Sequence, residues 1–304
     1  MSFDIEMEDY IEDIKIKNSP KHCLVTGGAG FVGTNLIKKL LKDGHNVVSI
    51  DNYSTGYKGN HQEGCQYFDV DITKTSDYSF FMKEPDVIFH MAALARIQPS
   101  FDEPKETLDT NVNGTLNILE FARKNKSQVV YAGSSSYHAG VYRSPYAFSK
   151  DVGTQLCKLY SSVYDLNTSI FRFYNVYGPY QIEKGTYSTV IGIFERQYRN
   201  NEPLTVVGDG EQRRDFTYID DIVDGLILAM NQNFKAETFE LGRGKNYSIN
   251  QIADLFGGEK THLPHRKGEY DKTLCDYSKA NNILGWKPKY NLNEYIKKVK
   301  ENNK

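Results

Sequence analysis

The segment Thr26-Gly27-Gly28-Ala29-Gly30-Phe31-Val32-Gly33 decides how this chain is read. It follows a short β-branched run at Leu24-Val25 and opens a segment of helical period, Thr34 to Leu41. Glycines at 27, 30 and 33 therefore stand where a strand turns sharply into a helix and where backbone must come close to a ligand. The N-terminus of such a helix carries unpaired N–H groups and the positive end of the helix dipole, which suit a pyrophosphate. A second β-branched run, Val47 to Ile50, leads into Asp51, 18 residues beyond Gly33. A carboxylate at that place accepts both hydroxyls of an adenosine ribose and repels a 2′-phosphate. Together the two features predict a dinucleotide site that takes NAD in preference to NADP.

Further short runs continue the pattern outward at Val87 to Phe89, Val129 to Tyr131 and Ser169 to Phe173, alternating with longer segments of helical period. This order predicts an α/β fold, a Rossmann-type doubly wound parallel sheet with helices on both faces. After Gly178-Pro179 the alternation weakens, and Pro203, Pro264 and Pro288 punctuate the chain. The expected organisation is an NAD-binding domain over 21–179 and a smaller, mixed α/β substrate-binding lobe mainly over 180–304. Part of 216–245 should pack back on the first domain. Residues 1–20 carry Asp4, Glu6, Glu8, Asp9, Glu12 and Asp13 and read as an acidic N-terminal arm.

Composition narrows the partners. The 304 residues are 39% hydrophobic, enough for a substantial core. Lys plus Arg number 37 against 39 Asp plus Glu, so no basic excess is available for a nucleic-acid backbone. Cys23, Cys65, Cys157 and Cys275 lie far apart, with neither the paired spacing of a metal site nor the density of a disulfide framework. No apolar run approaches the roughly 20 residues that span a bilayer, and no signal-peptide pattern opens the chain. A cytoplasmic protein without a metal is expected.

A second constellation carries chemistry. In Tyr146-Ala147-Phe148-Ser149-Lys150 a phenol and an ammonium stand four apart at the start of a helical segment, on one face. The ordinary phenol pKa is about 10. A neighbouring ammonium and a positive nicotinamide ring favour the phenolate and make Tyr146 a candidate base, while Lys150 also holds the nicotinamide ribose. The strand at Val129-Val130-Tyr131 runs out into Gly133-Ser134-Ser135-Ser136, which places hydroxyls at the end of a sheet where ligands bind. Counting from the strand favours Ser134 as the hydroxyl that bonds the sugar; counting back from Gly140 favours Ser135.

These residues resemble the extended short-chain dehydrogenase/reductase superfamily, and within it the NAD-dependent epimerase/dehydratase family. The resemblance runs from Lys21 to about Asn293 and includes Asp51-Asn52-Tyr53-Ser54-Thr55-Gly56, Asp71-Ile72, His90-Met91-Ala92-Ala93, Asn111-Val112-Asn113-Gly114-Thr115 and Arg172-Phe173-Tyr174-Asn175-Val176-Tyr177-Gly178-Pro179. In the second lobe it includes Gly208-Asp209-Gly210, Arg214-Asp215-Phe216 and Arg266-Lys267-Gly268-Glu269. It implies an NAD site formed by Gly27, Gly30, Phe31, Val32, Gly33, Asp51, Asn52, Thr55 and Gly56, with Asp71 and Ile72 at the adenine. Met91, Ala92, Ala93, Ala95, Thr110, Tyr146, Lys150 and Phe173 complete that site by the same likeness. It implies further that Asn175, Arg214 and Arg266 bind the diphosphate of a nucleotide sugar, most simply a UDP-sugar. Glu269 then lies near the ribose and Thr205 to Val207 near the base.

The resemblance also narrows the reaction. Family dehydratases carry an acid pair directly after the catalytic hydroxyl, and this chain has Ser135-Ser136 there. A 4-epimerase working through a transient 4-keto sugar is therefore expected, with a decarboxylase or dehydratase of the same family as the alternative and a non-catalytic NAD-binding regulator behind them. Only Val141 to Pro145 separates Gly140 from Tyr146, a shorter loop than family members have, and it brings His138 within reach of the site as a candidate acid. Thr273 aligns with a position that is bulky in epimerases restricted to unmodified hexoses, so a small residue there should admit N-acetylated sugars. By the same likeness, the segments from about Pro104 to Lys124 and Tyr146 to Tyr164 should pair in a homodimer through helices bearing Leu116, Leu119, Leu156 and Leu159.

Overall fold

The computed structural model of the chain describes residues 19–230 and 232–303, so the acidic arm lies almost wholly outside the described residues. Seven parallel strands form the main sheet. Six of them are β1 (His22–Thr26), β2 (Asn46–Asp51), β3 (Gln66–Asp69), β4 (Val87–His90), β5 (Gln128–Ser134) and β6 (Thr168–Phe173). The seventh is Glu237–Leu241, and the order across the sheet is Glu237–Leu241, β6, β5, β4, β1, β2, β3. The order reverses between β1 and β4, which opens a crevice at their C-terminal ends.

Both faces of this sheet are buried, and side chains alternate between them with period two. Cys23, Val25, Val87, Phe89, Val130 and Phe171 face one layer, where helices Phe31–Lys42 and Ile219–Leu228 pack. Leu24, Val48, Ile88, Val129, Tyr131 and Ile170 face the other, under helices Gly114–Asn125 and Pro145–Tyr164. Leu119 is fully buried against this second layer and Leu116 and Leu156 pack beside it, whereas Leu159, Val163 and Tyr164 stay exposed on the outer helix face. The expected helix from Pro104 is interrupted: Asp109–Asn113 forms one π-helical turn between Pro104–Leu108 and Gly114–Asn125. The extra residue in that turn lets Asn111 face inward, where its amide bonds both the N–H and the C=O of Leu94.

The second lobe has its own core, with Phe194, Val206, Phe216, Ile252, Phe256 and Ile296 at its centre. Helices Val190–Arg199, Ile249–Phe256 and Leu292–Glu301 surround two small strand pairs, Leu204–Val207 with Lys260–Leu263 and Arg213–Asp215 with Asn246–Ser248. After lobe residues 180–216 the chain returns to the first domain, adding helix Ile219–Leu228 and strand Glu237–Leu241 to it, and after lobe residues 246–263 it returns again, with Tyr277, Ala280, Leu284 and Trp286 packed on that domain's core, before helix Leu292–Glu301 rejoins the lobe. No helix among the described residues is long and apolar enough to cross a membrane.

Candidate active site

A cavity of about 470 Å³ runs from the glycine turn, across the C-terminal ends of β1, β4 and β5, to the second lobe. At its first end the turn is dictated by sterics. Gly27 has φ +70°, and a Cβ there would lie 2.7 Å from the Ala92 backbone nitrogen; one on Gly33 would lie 2.2 Å from the Gly27 carbonyl oxygen. No side chain caps helix Phe31–Lys42 and its first turn holds no acidic residue, so its amide end is left for an anion. Asp51 is 8% exposed. Its carboxylate accepts the Ala29 N–H at 2.9 Å and the Tyr53 N–H at 2.8 Å, which fixes it beside the turn with lone pairs to spare. Burial raises its pKa, and the two backbone donors oppose that rise.

Gly30, Phe31, Val32, Asn52, Thr55 and Ile72 line this end, with Met91, Ala92, Ala93, Ala95, Thr110 and Phe173 further along. Three expected members do not reach the wall, Asp71 and Gly56 at this end and Lys150 in mid-cavity. Asp71 turns its carboxylate to its own loop, accepting the Thr73 N–H and hydroxyl. Gly56 stands behind Asp51, where a Cβ would come within 2.9 Å of the carboxylate. The fit to a dinucleotide therefore rests on the amide end, the tight glycines and Asp51.

In mid-cavity Tyr146 Oη donates to Ser134 Oγ at 3.2 Å. Ser134 Oγ also accepts the Ser136 N–H at 3.2 Å and bonds Ser136 Oγ at 2.9 Å. It is Ser134, not Ser135, that the phenol meets; Ser135 lines the same wall without touching Tyr146 Oη. The short loop makes this encounter. Tight 3₁₀ turns at Ser135–Ala139 and Val141–Arg143 are joined by Gly140 at φ +110°, and Ser144 then caps helix Pro145–Tyr164 by accepting the Ala147 N–H. Pro145, at the first helical position, presets the φ that puts Tyr146 over β5.

Lys150 lies one helical turn on, 5% exposed and behind the wall, its ammonium 4.3 Å from the centre of the Tyr131 ring. Burial lowers its pKa to about 7. The same burial raises Tyr146, against the pull of the Ser134 hydrogen bond and the Arg96 charge. His90, below them, is held neutral by burial, between Thr26 Oγ1 and Thr115 Oγ1.

At the far end Asn175, Thr205, Val207, Arg214, Arg266 and Glu269 line the wall. Arg214 is buried and pre-positioned: Nη2 donates to Glu269 Oε2 at 2.7 Å, Nη1 to the Tyr270 carbonyl at 2.6 Å, and the guanidinium lies over the Tyr270 ring. Asn175 holds a strained φ of +27° and donates to the Asp215 carbonyl.

Two expectations fail here on geometry. Thr273 is 5% exposed and turned into the lobe, its hydroxyl accepting the Asp215 N–H; the cavity wall in that segment is Tyr270. His138 points away from the cavity, its Nε2 at 3.1 Å from Glu240 and its ring stacked on Tyr174, so it is not placed to act as an acid. Conversely Arg96 and Tyr187 are on the wall and were not singled out from sequence. The signal for Arg96 was its position just after β4, at the strand-order reversal where ligands bind.

Residues 23–242 match the model of the NAD dependent epimerase/dehydratase family. The chain belongs to that family. A UDP-glucose 4-epimerase from Mycolicibacterium smegmatis is 31% identical over 91% of this chain and 97% of its own length. The UDP-N-acetyl-alpha-D-glucosaminuronate decarboxylase of Bacillus cytotoxicus is 33% identical over 77% and 78% of the two chains. Among solved structures, the Thermotoga maritima UDP-glucose 4-epimerase with UDP-glucose superposes at a TM-score of 0.87 with 31% identity, covering 92% of this chain and 97% of the other. NAD is the cofactor of this epimerase/dehydratase family member.

Proposed function

We propose that the protein is an NAD-dependent nucleotide-sugar 4-epimerase acting on UDP-hexoses through a transient 4-keto sugar. The observation that carries this reading is the Tyr146–Ser134 hydrogen bond at the middle of a cavity whose ends fit a dinucleotide and a nucleoside diphosphate. NAD, when bound, supplies the hydride acceptor and a positive ring that favours the phenolate. A sugar hydroxyl placed at the Tyr146–Ser134 bond gives its proton to the Tyr146 oxygen, while Ser134 keeps the hydroxyl aligned by hydrogen bonding. Lys150, with its pKa lowered to about 7 by burial, is poised to release or take a proton behind Tyr146. Return of the hydride to the opposite face requires only that the 4-keto sugar turn over in the cavity, and no further acid or base.

Elimination of water needs an additional acid and base beside the sugar. The residues after Ser134 are Ser135 and Ser136, and His138 is engaged by Glu240, which supports epimerisation over dehydration. Incubation with UDP-glucose, UDP-galactose and their dTDP and GDP counterparts, with products resolved by chromatography and mass, tests the reading. A 4-epimer of unchanged mass is expected; a product lighter by water or carbon dioxide would replace epimerase by dehydratase or decarboxylase.

A further inference from the structure

Arg96, Arg214 and Arg266 all line the cavity, and the two from the second lobe are suited to the nucleoside diphosphate of the reading above. Arg96 comes from the opposite wall, on the loop leaving β4. Its Nε donates to the Tyr187 carbonyl at 2.9 Å and its Nη1 to the Ala95 carbonyl at 2.9 Å. Nη2 has no partner among the described residues, and no carboxylate there pairs with the guanidinium. The titratable groups it feels are the phenols of Tyr146 and Tyr187, and burial lowers its own pKa. Arg214, by contrast, has Glu269 at 2.7 Å.

A guanidinium drawn into a cavity wall without a counter-ion is costly unless an anion completes it. The two carbonyls hold its plane fixed, so the remaining N–H groups form a preset fork of the kind that grips a carboxylate. Because Arg96 lines the same cavity as Tyr146, whose phenol acts on it more strongly than that of Tyr187, and the reading above places the sugar's C4 hydroxyl at Tyr146, that carboxylate belongs on the hexose ring rather than on the nucleotide. Resting on the nucleotide-sugar reading above, we infer that Arg96 recognises an acidic sugar, so that among the nucleotide-linked hexoses this site takes, hexuronates are preferred over neutral hexoses.

Calorimetric binding of UDP-glucuronate and UDP-glucose to the NAD-loaded protein tests this independently of turnover. The wild type should bind UDP-glucuronate about tenfold to a hundredfold more tightly, the range of one charge-assisted contact. Arg96→Met should bring that ratio close to one with UDP-glucose binding nearly unchanged, and Arg96→Lys, which keeps the charge, should restore part of it. Equal binding of the two ligands by the wild type overturns the inference. So does an equal weakening of both in Arg96→Met, which would mark a contact to the diphosphate. If Arg96→Met does not fold, the wild-type ratio and Arg96→Lys still decide.

Turnover assays on the same two ligands separate the claims. Preferred uronate binding with no 4-epimer formed sustains the inference and sinks the epimerase reading, whereas epimerisation of UDP-glucose without uronate preference does the reverse. Binding of neither ligand overturns both.

Discussion

At the cofactor end of the cavity the walls are backbone, and at the sugar end they are side chains. The Asp51 bond to Ala29 closes over 22 residues of chain and depends on a turn that only glycine can make at positions 27 and 33. The Arg214–Glu269 pair closes over 55 residues and the Arg96–Tyr187 bond over 91. A local backbone device tolerates almost no substitution and can serve one kind of ligand. A side-chain assembly gathered from distant segments can be re-cut one residue at a time without disturbing the sheet.

The sharpest way to break this contrast is at the residue that belongs to both ends. Tyr146→Phe should lower kcat by about a hundredfold to ten-thousandfold, the range of a lost general base. Its affinity for NAD, measured by fluorescence titration, should stay near that of the wild type, because the amide end and Asp51 are untouched. A variant that keeps more than a tenth of the activity would show that Tyr146 is not the base.

Lys150→Met probes what the active site costs the fold. The buried ammonium has its pKa lowered to about 7 in the folded protein, against about 10.4 for a free lysine. The unfolded chain therefore binds the proton more tightly between those values, and stability rises with pH across that window. Removing the charge should stabilise the NAD-free protein by an amount on the order of a few kcal/mol at and below pH 7. The gain should shrink as pH climbs toward 10, and activity should be lost throughout. Denaturant unfolding at pH 6, 8 and 10 measures it, and a gain independent of pH would refer the effect to packing alone.

The smallest effect is expected at Thr273. A tyrosine there must fit among buried neighbours and breaks the Asp215 N–H bond, which should cost about 1 to 3 kcal/mol in stability. Because Tyr270 and not Thr273 forms the wall, kcat/KM should change in equal proportion for UDP-glucose and UDP-N-acetylglucosamine. A loss confined to the acetylated sugar would show that position 273 gates the sugar after all.

The same contrast explains what could be read from the sequence. The sheet and the glycine turn were legible because each depends on residues within one strand–turn–helix unit, where period and spacing fix the geometry. The side chain of Tyr146 was placed by the helix that begins at Pro145. The serine register stayed open between Ser134 and Ser135 because the 3₁₀ turns that absorb the short loop leave no periodic trace. Thr273 was misplaced because one residue of shift in a short bridged segment exchanges the two sides: the bridge from Arg213 to Lys272 turns Thr273 to the lobe interior. His138 has its partner Glu240 on a strand 102 residues away that was not foreseen, and no local pattern announces such a contact.

That strand, Glu237–Leu241, bears on how the chain comes to fold. It completes the sheet beside β6 only after the ribosome has made the first part of the second lobe and the return helix. Until then β6 is an open edge with an unpaired row of N–H and C=O groups, beside a half-built apolar face. Parallel pairing across so long a separation is slow, since the loop between must close before any contact rewards it. A fragment cut at residue 179 should therefore keep that edge open and aggregate, and the full chain should be most exposed to the same fate while the residues that seal its edge are still being made.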